Sequence, residues 1–329
     1  MRALSLLYLL LGVALFATVL SEFDFGRAVG LVWAAGLWGL LLILALHVIA
    51  ATFDVLHSLI VMRPLPVTPR WVARFFRVRL VSEAMNLVVP AGGFGGEPLK
   101  ATLLKRHYRV SFHNSSIGIV LARITGLLAQ LLFVALALPI MEAFAPLPES
   151  YEMLAWAGLG VLALMAVGFV VLFRGKLASR LGRILNRSRW GAKIGQGLRA
   201  IEPIEDAVNK FLATEKKPVM LAICLGGLRT AMEVGEIYLA LHLLGHPVTW
   251  TEAIVAEGLI QLACTVGFFI PANIGTQDAV MTIVIGTFAG VPGVGLGAAL
   301  LRRVRELVMI GAGFAIGGHF SWAKVRADR

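Results

Sequence analysis

Long apolar runs alternate with short polar connections along most of the chain. A helix needs about 20 apolar residues to cross a hydrocarbon core about 30 Å thick, and six runs reach about that length. The predicted spans are residues 3–20, 28–50, 115–140, 153–173, 219–244 and 293–319. The pattern therefore predicts an all-α polytopic membrane protein with about six transmembrane helices.

Two further apolar stretches, residues 80–109 and 252–290, are interrupted in the middle. The first contains the sequence VPAGGFGGEP and the second the sequence FIPANIGTQD. Glycine and proline disfavour a continuous helix, so each stretch predicts two shorter helices that form a hairpin.

The composition agrees with a membrane protein, because 58% of the residues are hydrophobic and only 15% are charged. The 30 lysines and arginines exceed the 19 acidic residues. In a membrane protein such an excess indicates cytoplasmic loops facing an anionic inner leaflet, and nucleic acid is not expected as a partner.

The positive charges also predict the orientation of each segment, since lysine and arginine favour the cytoplasmic side. The connection 174–217 contains eleven of them and is predicted to be cytoplasmic, as are both termini. Basic residues flank the first broken stretch on both sides: Arg63, Arg70, Arg74, Arg77 and Arg79 before it, and Lys100, Lys105, Arg106 and Arg109 in or after its second arm. This hairpin is therefore predicted to enter and leave from the cytoplasm, and the second from the outside, so that the two are re-entrant and oppositely oriented.

The two hairpins share a spacing of residues. Glu97 follows Pro90 by seven positions, and Asp278 follows Pro271 by seven. An arginine follows each proline, Arg123 after 33 residues and Arg303 after 32. The spacing predicts an inverted repeat within one integral membrane domain of residues 1–329, with repeat 1 at about 28–140 and repeat 2 at about 218–319. Such repeats are typical of secondary transporters, where interrupted helices mark the substrate site.

Arg123 and Arg303 are each predicted to lie about 15 Å deep, at the level of the hairpin tips. An arginine there costs at least about 2.5 kcal/mol and normally pairs or faces a cavity. One interpretation is an ion pair, Arg123 with Glu97 and Arg303 with Glu306 or Asp278; the other is binding of an anionic headgroup. The predicted substrate-binding residues are Pro90, Gly92, Gly93, Gly95, Gly96, Glu97, Lys100, Arg123, Pro271, Asn273, Gly275, Gln277, Asp278 and Arg303.

The carboxylates of Glu97 and Asp278 also allow two interpretations. Both are placed as N-caps of half-helices, and a buried carboxylate can alternatively carry a proton in a coupled transport cycle. Arg229 and Glu233 lie four residues apart on one predicted helix, the spacing of an intrahelical ion pair. Together with Glu306, these residues are candidates for ion pairing or coupling, and no catalytic residue, metal site or cofactor is predicted.

Several of these segments together resemble one known family. They are Pro90 with the sequence GGEPLKA, the LLKR sequence at 103–106, Arg123, the sequence FIPANIG at 269–275 and the helix with Arg302 and Arg303. The chain resembles the lysylphosphatidylglycerol synthase transmembrane-region family, which includes flippase modules and hopanoid-associated proteins. The resemblance covers nearly the whole chain and implies a lipid flippase or lipid transporter of the bacterial inner membrane.

The resemblance does not extend to a soluble aminoacyl-transferase domain, so aminoacylation of a lipid is not expected. A transporter would move a phospholipid, a hopanoid or a polyprenyl phosphate lipid between leaflets by alternating access. Two alternatives remain open: an intramembrane lipid-modifying enzyme that uses Glu97 and Asp278, and a non-catalytic scaffold that gathers enzymes of lipid or hopanoid synthesis.

Overall fold

A computed structural model describes residues 25–63, 65–88, 96–145, 148–185, 201–267, 270 and 273–327. Within these ranges the protein is all-helical, as predicted. The eleven helices are α1 Phe25–Val61, α2 Pro69–Val88, α3 Gly96–Tyr108, α4 Phe112–Phe144, α5 Glu149–Arg174, α6 Leu177–Leu185, α7 Glu202–Thr214, α8 Lys216–Leu243, α9 Trp250–Val266, α10 Thr276–Ala289 and α11 Pro292–Ala327.

Four of the described helices are long and apolar enough to cross a membrane: α1 from Ala35, α4, α5 and α8. The predicted first span, 3–20, lies outside the described residues. The predicted last span corresponds to α11, which is not one of the four and which carries Arg302, Arg303, Arg305 and Glu306 in its first half. The predicted 28–50 span is too short, because α1 continues to Val61 after a non-helical residue at Gly36.

Each interrupted stretch forms two helices that pack against each other, α2 with α3 and α9 with α10. The glycine and proline clusters fall in the sequence between the described ends of α2 and α3 and between those of α9 and α10. Gly275 and Asn273 adopt positive φ angles of 85° and 50° just before α10 begins. A positive φ is costly for most residues but is accessible to glycine and, less readily, to asparagine, so these residues allow the chain to turn tightly between the two arms.

The helices pack in a matched pattern when α1–α4 are compared with α8–α11. The helix after one hairpin packs against the first arm of the other hairpin, as seen for α4 with α9 and for α11 with α2. Likewise, α1 packs against α11 as α8 packs against α4, and α1 and α8 pack against each other. Two related halves would give this pattern, but their opposite orientation in a bilayer stays a prediction.

Candidate functional site

A polar cavity of about 290 Å³ lies among α1, α2, α3, α4 and α8. Four cationic and three carboxylate side chains line it, an unusual density of charge for the interior of an apolar helix bundle. These charged lining residues are Asp54, Arg79, Glu83, Glu97, Lys100, Arg123 and Arg229. The cavity is therefore the strongest candidate for a ligand site among the described residues.

Arg79 is held in the cavity wall by two carboxylates. Its Nε donates to Asp54 Oδ2 at 2.8 Å, and its Nη2 lies 2.6 Å from Glu83 Oε1. Only 9% of Arg79 is exposed. Arg79, one of the basic residues from which a cytoplasmic entry of the first broken stretch was predicted, is thus a buried residue with two carboxylate partners, while the orientation of the stretch stays a prediction.

Glu97 and Lys100 lie in the first turn and a half of α3, facing the cavity. Lys100 Nζ is 3.3 Å from Glu97 Oε2, and Glu97 also attracts the Arg123 guanidinium electrostatically. Gly96 is the first described residue of α3, and Glu97 follows it. The backbone N–H of Gly96 donates to the side-chain Oδ1 of Asn86 on α2, which ties the two arms of the hairpin together.

Arg229 enters the cavity from the middle of α8. Its Nη1 donates to Glu233 Oε1 at 3.0 Å, one helical turn further along, as their spacing suggested. The cavity wall also contains His57, whose Nε2 lies 2.7 Å from Thr125 Oγ1. The cavity wall therefore combines charged side chains with polar side chains that hydrogen bonds hold in place.

Arg303 on α11 pairs with two carboxylates, the buried Asp278 and the partly buried Glu306. Arg303 donates from Nε to Asp278 Oδ1 at 2.9 Å and from Nη2 to Asp278 Oδ2 at 2.8 Å. Its Nη1 donates to Glu306 Oε2 at 2.6 Å, and its Nη2 reaches the backbone oxygen of Asn273 at the hairpin break. The arginine therefore contacts the tip region of its hairpin.

Asp278 also organises the start of α10, although it is the third residue of the helix and not its N-cap. Its Oδ2 accepts a hydrogen bond from the backbone N–H of Gly275 at 2.9 Å. Gln277, beside it, donates to Glu306 Oε1 at 3.2 Å. Asp278 thus accepts from the backbone at the start of α10 and also pairs with Arg303, one of the two ion pairs considered for Arg303, whereas a role of Asp278 in carrying a proton stays a prediction.

Two more arginines on α11 extend this buried cluster. Arg302 donates to Glu257 Oε2 at 3.3 Å, and Arg305 pairs with Glu236. Glu236 in turn lies 3.0 Å from His47 Nδ1 on α1. These pairs neutralise the charges that make α11 too polar to qualify as a simple apolar span.

Side-chain amides connect the cavity with the ion-pair cluster on α11. Gln261 on α9 donates to Glu257 Oε1 at 3.2 Å and to Thr230 Oγ1 at 3.4 Å. Thr230 lines the cavity, whereas Glu257 binds Arg302. Gln130, also a lining residue, donates to Thr265 Oγ1 at 3.0 Å and thereby ties α4 to α9. A continuous set of polar contacts therefore joins the two sites.

The predicted site residues fall into four groups in the structure. Glu97, Lys100 and Arg123 line the open cavity, whereas Asn273, Gly275, Gln277, Asp278 and Arg303 form the closed cluster. Gly96 lies beside the cavity at the start of α3. Pro90, Gly92, Gly93, Gly95 and Pro271 lie outside the described residues.

Sequence reasoning missed Asp54, His57, Glu83 and Glu257. Asp54 lies only four residues beyond the predicted end of the second span, inside the helix that α1 actually forms. An ionisable residue within an apolar helix is a signal for a polar interior. Extending the predicted 28–50 span by three turns, to the end of α1 at Val61, would have included Asp54.

Comparison with known protein families supplies independent information. The family model described as "Lysylphosphatidylglycerol synthase TM region" matches residues 4–313. The chain belongs to this family. Searches of curated proteins and of solved structures gave no match. Membership of the lysylphosphatidylglycerol synthase transmembrane family makes the chain a membrane protein related to lipid handling, which agrees with its four apolar helices.

Proposed function

We propose that this protein moves a lipid with an anionic headgroup between the two leaflets of the bacterial inner membrane. The headgroup would bind in the cavity of about 290 Å³, and the acyl chains would stay in the bilayer. The charged cavity inside an apolar helix bundle is the observation that carries this proposal. Its volume is near the lower end of ligand pockets, which run from about 300 to 1,000 Å³, so it suits a headgroup better than a whole lipid.

The charges of the cavity support a phosphate-bearing ligand. Arg79 is held by two carboxylates, so it stabilises the wall, whereas Lys100 and Arg229 each pair with only one. With Arg123 they bring cationic groups from three different helices to the cavity. Cations that converge from several directions can surround a phosphate, with arginine able to bind two of its oxygens at once.

The difference between the two halves supports alternating access. In the first half the cationic and carboxylate groups line an open space, whereas in the second half Arg303 is closed onto Asp278 and Glu306. The matched packing of α1–α4 and α8–α11 would allow the halves to exchange these arrangements. We propose that the two hairpins are re-entrant from opposite sides, that both termini are cytoplasmic, and that the cavity is open in one state of the cycle.

Lipid translocation by Arg123 variants tests the proposal. The full chain is reconstituted into vesicles with fluorescent phosphatidylglycerol, and dithionite added outside reports how much lipid reaches the outer leaflet. We expect Arg123→Gln to lower the rate at least about tenfold, because loss of one charge-assisted phosphate contact costs about 1.5 to 3 kcal/mol. Arg123→Lys keeps the charge and should retain part of the rate.

Arg174→Gln is the matched control, because it removes one exposed positive charge at the end of α5, away from the cavity. It should transport at the wild-type rate. Size-exclusion chromatography verifies that each variant is folded, and Lys100→Gln replaces Arg123→Gln if that variant aggregates. Wild-type translocation by folded Arg123→Gln and Lys100→Gln would contradict the proposed site.

The same vesicles separate transport from lipid chemistry, which the synthase name of the family makes a relevant alternative. A transporter leaves the mass of the lipid unchanged and alters only its leaflet. Mass spectrometry of the extracted lipids should therefore show no new product in the absence of other enzymes. A protein-dependent product whose formation requires Glu97 would favour a lipid-modifying enzyme instead.

A further inference from the structure

A second and larger cavity, of about 970 Å³, lies away from the charged site, at the junction of α1 and α8. Its residues come from the last turn of α1, the following loop, the last residue of α7 and the first two turns of α8. Both α1 and α8 are candidate membrane spans. Because the cavity lies where one span ends and the other begins, it is placed at a membrane surface.

One wall of this cavity is apolar. Leu59 and Ile60 come from α1, Val67 from the loop and Leu221 from α8. Val67 and Leu221 are each 50% exposed. Exposed apolar side chains at the end of a membrane span lie at the depth of the acyl chains, so this wall suits hydrocarbon.

The other part of the cavity is basic. It contains Arg63, Lys216 and Lys217, with Glu215 as the single carboxylate in its lining. Glu215 Oε2 lies 3.5 Å from Arg63 Nη2, so this carboxylate is already next to a cation. Lys216 and Lys217 are both exposed, and they stand in the first turn of α8, where the helix dipole disfavours positive charge; the nearest carboxylate is the N-cap residue Glu215, which is next to Arg63.

We infer that this cavity is a binding site for an anionic phospholipid of the adjacent leaflet. The phosphate binds Lys216 and Lys217, where it also offsets the unfavourable position of these lysines at the helix start. The first part of an acyl chain lies against Val67 and Leu221. Basic side chains at the end of a span attract anionic lipids in this way, and the apolar wall selects a lipid over a soluble anion.

This site is separate from the transport cavity. No residue lines both cavities, and Met62, next to Arg63 in the chain, lines only the central one. Binding here therefore does not depend on whether the protein moves lipids. A lipid bound in this cavity would anchor the junction of α7 and α8, which are joined by the single non-helical residue Glu215.

Native mass spectrometry of the full-length protein, titrated with phosphatidylglycerol, tests the inference. We expect Lys216→Gln with Lys217→Gln to weaken binding of the first lipid by about 30-fold, since each basic residue near an anionic lipid surface contributes about 1 kcal/mol, or about fivefold. The matched control, Arg180→Gln with Lys210→Gln, removes two exposed charges from α6 and α7, outside the cavity, and should bind as wild type.

A phosphatidylglycerol with a photoreactive acyl chain locates the bound lipid. Crosslinks are expected in peptides that contain Val67 or Leu221, and they should decrease in the lysine variant. Glycerol phosphate, which has the same phosphate but no acyl chain, should not displace the lipid. Equal affinity of both double variants, crosslinks confined to other helices, or displacement by glycerol phosphate would each overturn the inference.

Discussion

The guanidinium of Arg303 binds both carboxylate oxygens of Asp278, and that carboxylate has no exposed surface. Arg123 occupies the corresponding position of α4, eleven residues after the first residue of its helix, as Arg303 does in α11. It nevertheless lines an open cavity. The two arginines thus have equivalent positions along their helices but different surroundings.

The pair in the second half should matter greatly for stability. Arg303→Gln leaves Asp278 buried with the Gly275 N–H as a remaining donor, and an uncompensated buried charge costs about 3 to 5 kcal/mol. Asp278→Asn should cost less, because Arg303 keeps Glu306 as a partner. Thermal unfolding in detergent should rank wild type first, Asp278→Asn second and Arg303→Gln last. A melting temperature of Arg303→Gln equal to that of wild type would contradict this account.

The amide of Gln261 should hold the two polar sites together. Gln261→Leu removes hydrogen bonds to Glu257 and Thr230, and leaving buried polar groups without a partner costs about 1 to 3 kcal/mol. We expect a lower melting temperature and a slower lipid translocation. Thr287→Val is a suitable control, because that exposed hydroxyl bonds only to the backbone of its own helix. Equal effects of the two substitutions would show that the contacts of Gln261 have no special importance.

Two glycines of α11 should respond differently to the same substitution. At Gly313 an added methyl group would collide with the backbone of Leu80 and the side chain of Ala84 on α2, whereas at Gly311 nothing lies within 4 Å. Gly313→Ala should therefore separate α11 from α2 and destabilise the protein by about 1 to 3 kcal/mol. Gly311→Ala should be neutral or slightly stabilising, since alanine favours helix by about 1 kcal/mol. Equal melting temperatures of the two variants would contradict close packing at Gly313.

Cysteine labelling tests the predicted orientation of the hairpins. In a background without Cys224 and Cys264, one cysteine at a time is placed near the ends of each hairpin and treated with a membrane-impermeant maleimide. Arg70→Cys and Arg106→Cys should react only after the cells are permeabilised. Pro247→Cys and Thr287→Cys should react from outside. Opposite accessibility of the two ends of either hairpin would mean that it spans the membrane.

Much of the architecture could be predicted from local sequence. Apolar run length is enough to predict α4, α5 and α8, because a helix that crosses lipid must satisfy its own backbone and cover it with apolar side chains. Glycine and proline likewise predict the breaks between α2 and α3 and between α9 and α10, since they act on the local backbone. The spacing of Glu97, Asp278, Arg123 and Arg303 also pointed to the two polar regions.

The tertiary structure decided which of these charges pair and which line a cavity. Pairing depends on distances between helices far apart in sequence, so nothing local distinguishes Arg79, bound by Asp54, from the arginines of a surface loop. The same holds for Arg123 and Arg303, whose sequence positions are equivalent. The sequence by itself determined an apolar helical chain with two interrupted hairpins, because hydropathy and backbone preference act residue by residue. Only the packing of α1, α2, α3, α4 and α8 created the polar cavity, because its charges come from five separate helices.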